Sequence, residues 1–281
     1  YQMCREAFRG GNTHANRYYA GMVLHDVKSA DRSSSYPDVQ CNCLFPISEF
    51  YHAGPMEFDD LVKLVNVRKR AVLMRVSITN IRLAKSTWGC PYLSRDKCRK
   101  TVGGIYDNGR ILSADYLETT ITDIDLKIIL EEYVFDDLTP FDVAHARYGR
   151  LPEQLVKTTI EYYIAKTTLK NVPGEEIYYM KSKNKLNSIY GMMAQDPVKQ
   201  SIDFIEDDPD GGFVEHQDNP EEILMENNRK AFLCYQWGVW VTAWARYRLE
   251  EGIRLAGDNF VYCDTDSVKY LGDIDWAAYN R

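Results

Sequence analysis

From Val72 to Leu83 apolar and polar side chains alternate, the period-two pattern of a half-buried strand. A second strand is expected over residues 20–31, where Gly21-Met22-Val23-Leu24-His25 leads to a Ser-rich turn, and a short helix over 34–43. Residues 84–115 carry Gly, Pro and Tyr106-Asp107-Asn108-Gly109, which read as a loop-and-hairpin insertion. Leu117 to Ile121 reads as a strand, after which Thr122 caps a helix to about Glu132 with Asp125 at the capping-box position. Two helices are expected over 147–169 and 177–195, broken at Asn171-Val172-Pro173-Gly174. Segments 201–206 and 212–216 read as a hairpin. Asn219-Pro220-Glu221-Glu222 starts a long helix that runs to about Gly252 or Gly257. A last hairpin then turns at Tyr262-Cys263-Asp264-Thr265-Asp266-Ser267.

That turn changes the picture most. At spacing i, i+2 on one strand, Asp264 and Asp266 leave the same face. Two anions aimed at one point repel unless a multivalent cation sits there. Oxygen ligands without His or Cys favour magnesium or manganese. The hexapeptide resembles the third palm motif of family B DNA polymerases. Asp31-Arg32-Ser33-Ser34-Ser35-Tyr36-Pro37 is similar to that family's first palm motif, Asp-x-x-Ser-Leu-Tyr-Pro, with Ser35 in place of Leu. Asp26 competes for the role of Asp31, but only Asp31 has Ser, Tyr and Pro at the matching offsets.

A third match lies in Lys183-Asn184-Lys185-Leu186-Asn187-Ser188-Ile189-Tyr190-Gly191, similar to the family's fingers motif Lys-x-x-x-Asn-Ser-x-Tyr-Gly. On a helix Lys183, Asn187 and Tyr190 share a face, offering a cation, an amide and a ring. A lysine ammonium suits a triphosphate as a mobile point charge. Gly191 leaves room for a base pair to approach. Phe8-Arg9-Gly10-Gly11 resembles the family's Tyr-x-Gly-Gly segment with Phe for Tyr, and Gly10 and Gly11 are expected to lie along DNA phosphates. Thr242-Ala243-Trp244-Ala245-Arg246 and the stretch Leu117 to Tyr133 resemble the protein-primed bacteriophage branch. Thr242 and Arg246 are expected to grip DNA, with a buried polar pair as the alternative.

Composition agrees, with one tension. With 45% hydrophobic and 12% aromatic residues, the 281-residue chain can bury a sizeable core. No apolar run reaches the ~18 residues of a membrane span. A net charge of −7 argues against a nucleic-acid binder. Acidic residues, however, crowd into Glu206-Asp207-Asp208-Pro209-Asp210, while basic ones gather at Arg68-Lys69-Arg70 with Arg75, and at Lys157, Lys166, Lys170, Lys181, Lys183 and Lys185. A local basic channel is the expectation. Seven cysteines, with no signal-peptide pattern, point to a reducing compartment. Cys41, Cys43, Cys90 and Cys98 could join around zinc only with spacings unlike standard sites. Five scattered histidines suggest surface or core roles.

The resemblance spans Phe8 to Leu271 and implies an α+β fold, a polymerase palm with an inserted helical fingers module. The palm would occupy 1–83, an insertion with palm elements 84–146, the fingers 147–195, a hairpin insertion 196–218 and the rest of the palm 219–281. Tyr1 lies close before Phe8 and the chain stops soon after Asp266, so the sequence reads as the polymerase core of a longer protein, without exonuclease or thumb. The resemblance implies template-directed DNA synthesis in the cytoplasm of a bacterial host, using dNTP, primer-template DNA and, at initiation, a terminal-protein primer. Asp31 and Asp266, with Asp264, would hold two magnesium or manganese ions. Lys183, and less directly Lys166, would neutralise triphosphate; Tyr36 would exclude a 2′-hydroxyl, and Tyr190 pack on the nascent base pair. An RNA-primed family B enzyme, or a non-catalytic nucleic-acid-binding module, is the alternative. A metal-dependent phosphatase or nuclease would not need Asn187-Ser188 with Tyr190-Gly191.

Overall fold

The computed structural model describes residues 1–84, 89–198, 201–205, 212–216, 219–230, 234–277 and 279. The chain opens with α1 (Gln2–Ala7), β1 (Thr13–Ala15), β2 (Lys28–Asp31) and α2 (Ser35–Asn42). Short strands β3 (Phe45–Pro46) and β4 (Tyr51–Gly54) precede α3 (Phe58–Asn66) and the long β5 (Arg70–Leu83). Then come β6 (Cys98–Val102), β7 (Ile105–Asp107), β8 (Arg110–Thr122), α4 (Asp123–Glu132), β9 (Tyr133–Val134) and β10 (Asp137–Gly149). Helices α5 (Glu153–Leu169) and α6 (Glu176–Met193) pack against each other. A hairpin β11 (Ser201–Ile205) and β12 (Gly212–His216), α7 (Pro220–Lys230), α8 (Tyr235–Ala256), β13 (Phe260–Asp264) and β14 (Ser267–Tyr270) complete the order.

Every strand pairing is antiparallel, and two larger sheets result. Eight strands form one, with central order β3-β10-β5-β8-β6; four form the other, in order β1-β13-β14-β2. The architecture is α+β. Between the sheets runs α8, whose Trp237, Val239, Trp240, Val241, Ala243, Leu249 and Ile253 are all buried. A helix apolar on nearly every side belongs inside a core. Its first half packs with Phe45, Ala71, Leu73 and Ile124, and its second half with Phe260, Cys263, Val268 and Tyr270 of the four-stranded sheet. The helix is therefore the platform beneath the acidic turn.

Several expected elements form for the expected reasons. Thr122 Oγ1 accepts from Asp125 N at 3.2 Å while Asp125 Oδ2 accepts from Thr122 N at 2.9 Å, the reciprocal capping box of α4. Asn108 and Gly109, at φ +45° and +77°, close the β7–β8 hairpin.

Others differ. The strand expected over 20–31 is reduced to Lys28–Asp31, because Gly21 and Asp26 take φ of +77° and +57° and turn the chain. Residues 147–149 continue β10, and α5 begins only at Glu153, since Pro152 disfavours helical geometry in the residue before it. The single long helix is two, α7 and α8, with Cys234 as the N-cap of the second. Glu206 to Asp210 lie outside the described residues.

Candidate active site

Strand β13 delivers Asp264 to the end of its ladder, opposite Ser267 of β14, leaving Thr265 and Asp266 to make the turn. Asp266 N donates to Asp264 O at 2.6 Å, closing a three-residue turn around Thr265, whose φ is +57°. A β-branched residue in the left-handed region is strained, and such strain survives only where surroundings impose it. They do here. Thr265 N donates to Asn12 O at 2.9 Å, and Thr13 Oγ1 donates to Asp264 Oδ1 at 3.0 Å. Asp264 and Asp266 thus flank a tight turn and do not share one strand face, contrary to what alternation alone suggests.

The third acid arrives from β2. Its register with β14 sets Asp31 opposite Ser267 and Lys28 opposite Tyr270. Arg32 N then donates to Asp266 O at 2.9 Å. Asp31 is consequently beside the turn, while Asp26 sits before the strand at its other end. Burial, and then the negative charges of Asp31 and Asp264, hold the Asp266 carboxyl above the usual carboxylate range. Asp31, Asp264 and Asp266 are thus close enough to repel one another, and none of them has an ion pair to a basic side chain among the described residues. Among the described residues, however, no three His, Cys, Asp or Glu side chains stand together closely enough to hold one ion as they are placed here.

Around the acids stand two rings. Tyr36, in the first turn of α2, stacks on Tyr190 of α6 with centroids 4.1 Å apart. The Tyr36 hydroxyl is pushed up by burial, with Asp266 and Asp264 adding to the shift and Arg246 opposing it, so the ring lies within electrostatic reach of the turn. Lys166 of α5 donates from Nζ to Ser34 Oγ at 2.9 Å, tying the helical pair to the segment that follows Asp31. On α6, Lys183 is half-buried without an ion-pair partner among the described residues, and Asn187 and Gly191 are exposed. The far end of α6 is fixed against α8, where a Cβ on Gly238 would come within 2.7 Å of Met193 O.

Two expected DNA contacts are corrected. Thr242 is fully buried, and its hydroxyl donates back to Gly238 O and Val239 O. Arg246 is 2% exposed, and its guanidinium reaches Asp125 Oδ1 at 2.8 Å, Tyr92 Oη at 2.9 Å, Arg9 O at 2.6 Å and Gly10 O at 3.0 Å. It meets no solvent because protein carbonyls and one carboxylate take up its donors. Burial alone would raise Asp125; Arg246 and Arg9 outweigh it and hold that carboxyl far below the usual range. Gly10 is exposed and open. Gly11 instead packs against the acidic turn, where a Cβ would stand 2.6 Å from Thr265 Oγ1. Arg75, counted among the basic channel residues, is neutralised by Glu6 and Asp142. The four cysteines considered for zinc do not meet: Cys43 belongs to the core beside α2, Cys90 faces Cys263 at 3.8 Å, and Cys98 donates to Ser94 O.

Sequence reasoning missed Arg9, Asp125, Asn12 and Glu250, the buried polar groups beneath the turn. The spacing of Thr242, Arg246 and Glu250 along α8 was the available signal, but it reads equally as a solvated stripe.

The same arrangement of sheets and helices recurs in the phi29 DNA polymerase. Against the phi29 DNA polymerase complexed with primer-template DNA, the chain superposes with a TM-score of 0.74 over 97% of its length and 43% of the polymerase, at 20% identity. The fold over this stretch is the phi29 polymerase fold. A ternary complex of that enzyme with incoming nucleotide gives 0.73. In sequence the chain is similar to the DNA polymerases of Bacillus phage Nf, at 25% identity, and Bacillus phage phi29, at 24%, each over 273 residues and 95% of the chain. It spans 42% of the length of these curated relatives. No family model matches it. Among the described residues no helix is long and apolar enough to cross a membrane.

Proposed function

We propose that this chain is the nucleotidyl-transfer core of a DNA polymerase. It would join an incoming dNTP to a primer 3′-hydroxyl opposite a template base. The observation that carries the reading is the register of β2 on β14. It brings Asp31, from a motif near the N-terminus, beside the Asp264–Asp266 turn and within the same neighbourhood as Tyr36 and Tyr190.

Asp31 and Asp266, with Asp264 in support, would hold two divalent ions. Magnesium or manganese held by these acids would lower the pKa of the attacking hydroxyl and offset charge on the triphosphate and the leaving pyrophosphate. The chain supplies the rest. Lys183, one helical turn from Asn187, would balance triphosphate charge, and Lys166 would hold the Ser34 segment that borders it. Tyr36, braced by Tyr190, would deny space to a 2′-hydroxyl, and Tyr190 with Gly191 would present a flat wall and an open backbone to the nascent pair. Gly10 would lie along the DNA backbone.

The test uses the full-length protein. Asp31→Asn or Asp266→Asn should abolish primer extension while leaving primer-template affinity within a few-fold. Retained extension by both variants would overturn the assignment. The finer reading, that initiation uses a protein hydroxyl as primer, rests on the branch resemblance of 117–133 and 242–246. In the same assay its signature is a labelled nucleotide covalently attached to a protein.

A further inference from the structure

Beneath the acidic turn lies a polar pair that the proposed chemistry does not use. Asn12 and Glu250 are each 1% exposed, and Asn12 Nδ2 donates to Glu250 Oε1 at 3.1 Å. The amide oxygen of Asn12, Oδ1, and the second carboxyl oxygen of Glu250, Oε2, are buried with no hydrogen-bond partner among the described residues. Two acceptors cannot satisfy each other, and a buried acceptor left without a donor is costly. One proton on Glu250 Oε2 resolves both, since the pair then closes as a cyclic amide–carboxylic acid dimer with two parallel bonds.

We propose that Asn12 and a protonated Glu250 form a two-point clamp that positions the Thr265 turn for nucleotidyl transfer. The clamp's reach is direct. Asn12 O accepts from Thr265 N at 2.9 Å, and neighbouring Gly11 touches the Thr265 side chain. On the other side Glu250 lies one turn beyond Arg246, which holds Arg9 O and Gly10 O. Helix α8 thereby grips the segment 9–12 at two successive turns, and that segment grips the turn. Burial, and then the nearby Glu132 carboxylate, push Glu250 up to about 8, against opposing contributions from Asn12, Arg254 and Arg110. Tyr133 and Cys90 also face it: burial raises the Tyr133 hydroxyl, and the hydrogen bond with Cys263, then burial, raise the Cys90 thiol. No lysine or arginine ion-pairs with Glu250 among the described residues.

Asn12 and Glu250 are positioning residues: neither touches substrate. The inference rests on the polymerase reading for its rate effect, but the clamp itself has a readout of its own. Folded Glu250 binds its proton more tightly than the unfolded side chain. Its contribution to stability is therefore present at low pH, declines as pH rises from the ordinary value of 4.5, and is gone once pH passes about 8. Glu250→Gln mimics the protonated acid at every pH.

Full-length wild-type protein, Glu250→Gln, Asn12→Ala and the double variant should be compared from pH 5 to 9.5. The melting temperature of wild type relative to Glu250→Gln should fall between pH 5 and 8 and level off above. Primer extension by Glu250→Gln should match wild type at pH 7 and exceed it several-fold at pH 9. Asn12→Ala should lose about tenfold in the rate of nucleotide addition, with KM for dNTP little changed, because small misplacements at a reacting centre are costly. Glu250→Gln should not rescue it. A flat melting difference across the pH range would show an ionised Glu250 and overturn the clamp. A sloping melting difference with an extension ratio near one at every pH would overturn the positioning role. Should the wild type extend no primer at any pH, the polymerase reading fails, and the melting series still decides whether the clamp exists.

Discussion

Thr265 cannot move away from Gly11, because its backbone N–H is tied to Asn12 O on the same segment. A methyl group on Gly11 would therefore meet the Thr265 Oγ1, Cγ2 and Cβ atoms, all within 2.9 Å, with nowhere for them to go. Gly11→Ala should cost about 1–3 kcal/mol in urea unfolding, the range for overpacking a fixed contact. Combining it with Thr265→Gly should recover much of that loss, a coupling that a double-mutant cycle measures. Arg246 is a harsher case. Arg246→Met would strand a fully buried Asp125 carboxylate, at a cost of about 3–5 kcal/mol. The sign with pH follows from Asp125 being held low. Its stabilising contribution is present above the ordinary value of 3.8 and is lost as pH falls through and below it. The gap in unfolding midpoint between wild type and Arg246→Met should accordingly narrow as pH falls below about 4.

Among the elements, α6 carries the side chains proposed to meet the nucleotide, and α8 sets where α6 ends. The obstacle to a side chain at Gly238 is backbone, Met193 O and Ala194 Cα, not a flexible side chain. Gly238→Ala should push α6 outward, raising KM for dNTP while the acid turn stays in place; unchanged steady-state kinetics would remove this coupling. How legible such elements are depends on how local their causes are. The capping box at Thr122 and Asp125, the Asn108-Gly109 turn and the α2 start after Ser34 are set by residues within a few positions. Each could be read directly. Strand β10 hides because Pro140 interrupts it and the register slips between Pro140 and Asp142, breaking the alternation that marks a strand. Arg246 misled because its partner Asp125 sits on α4, too distant in the chain for a spacing rule to find. The motif acids were easy to name, but the turn conformation that separates Asp264 from Asp266 depends on Asn12, from β1's approach.

At the scale of the whole molecule, a net charge of −7 means that any hold on DNA must come from local basic surface. Lys181 and Lys185 are exposed on α6, Lys157 on α5 and Lys170 at its C-cap, although Lys157 is shared with Glu153. Primer-template binding by residues 1–281 should be weak, indifferent to sequence and steeply reduced by salt, each neutralised phosphate adding about −0.9 to the slope of log K against log salt. Titration at two ionic strengths checks this, and salt-independent binding would contradict it. The sheet β1-β13-β14-β2 has a further consequence, in time. Its strands come from opposite ends of the sequence, so joining them closes very large loops, and the ordering entropy is met before any contact repays it. Such non-local pairing is slow to form and tends to come late. The eight-stranded sheet, built from successive segments, can assemble first. On a ribosome, Asp31 must wait for the chain to be made through Asp266 before that residue joins it. A half-made copy would carry Asp31 on β2 without the β14 strand that places it beside the Asp264–Asp266 turn.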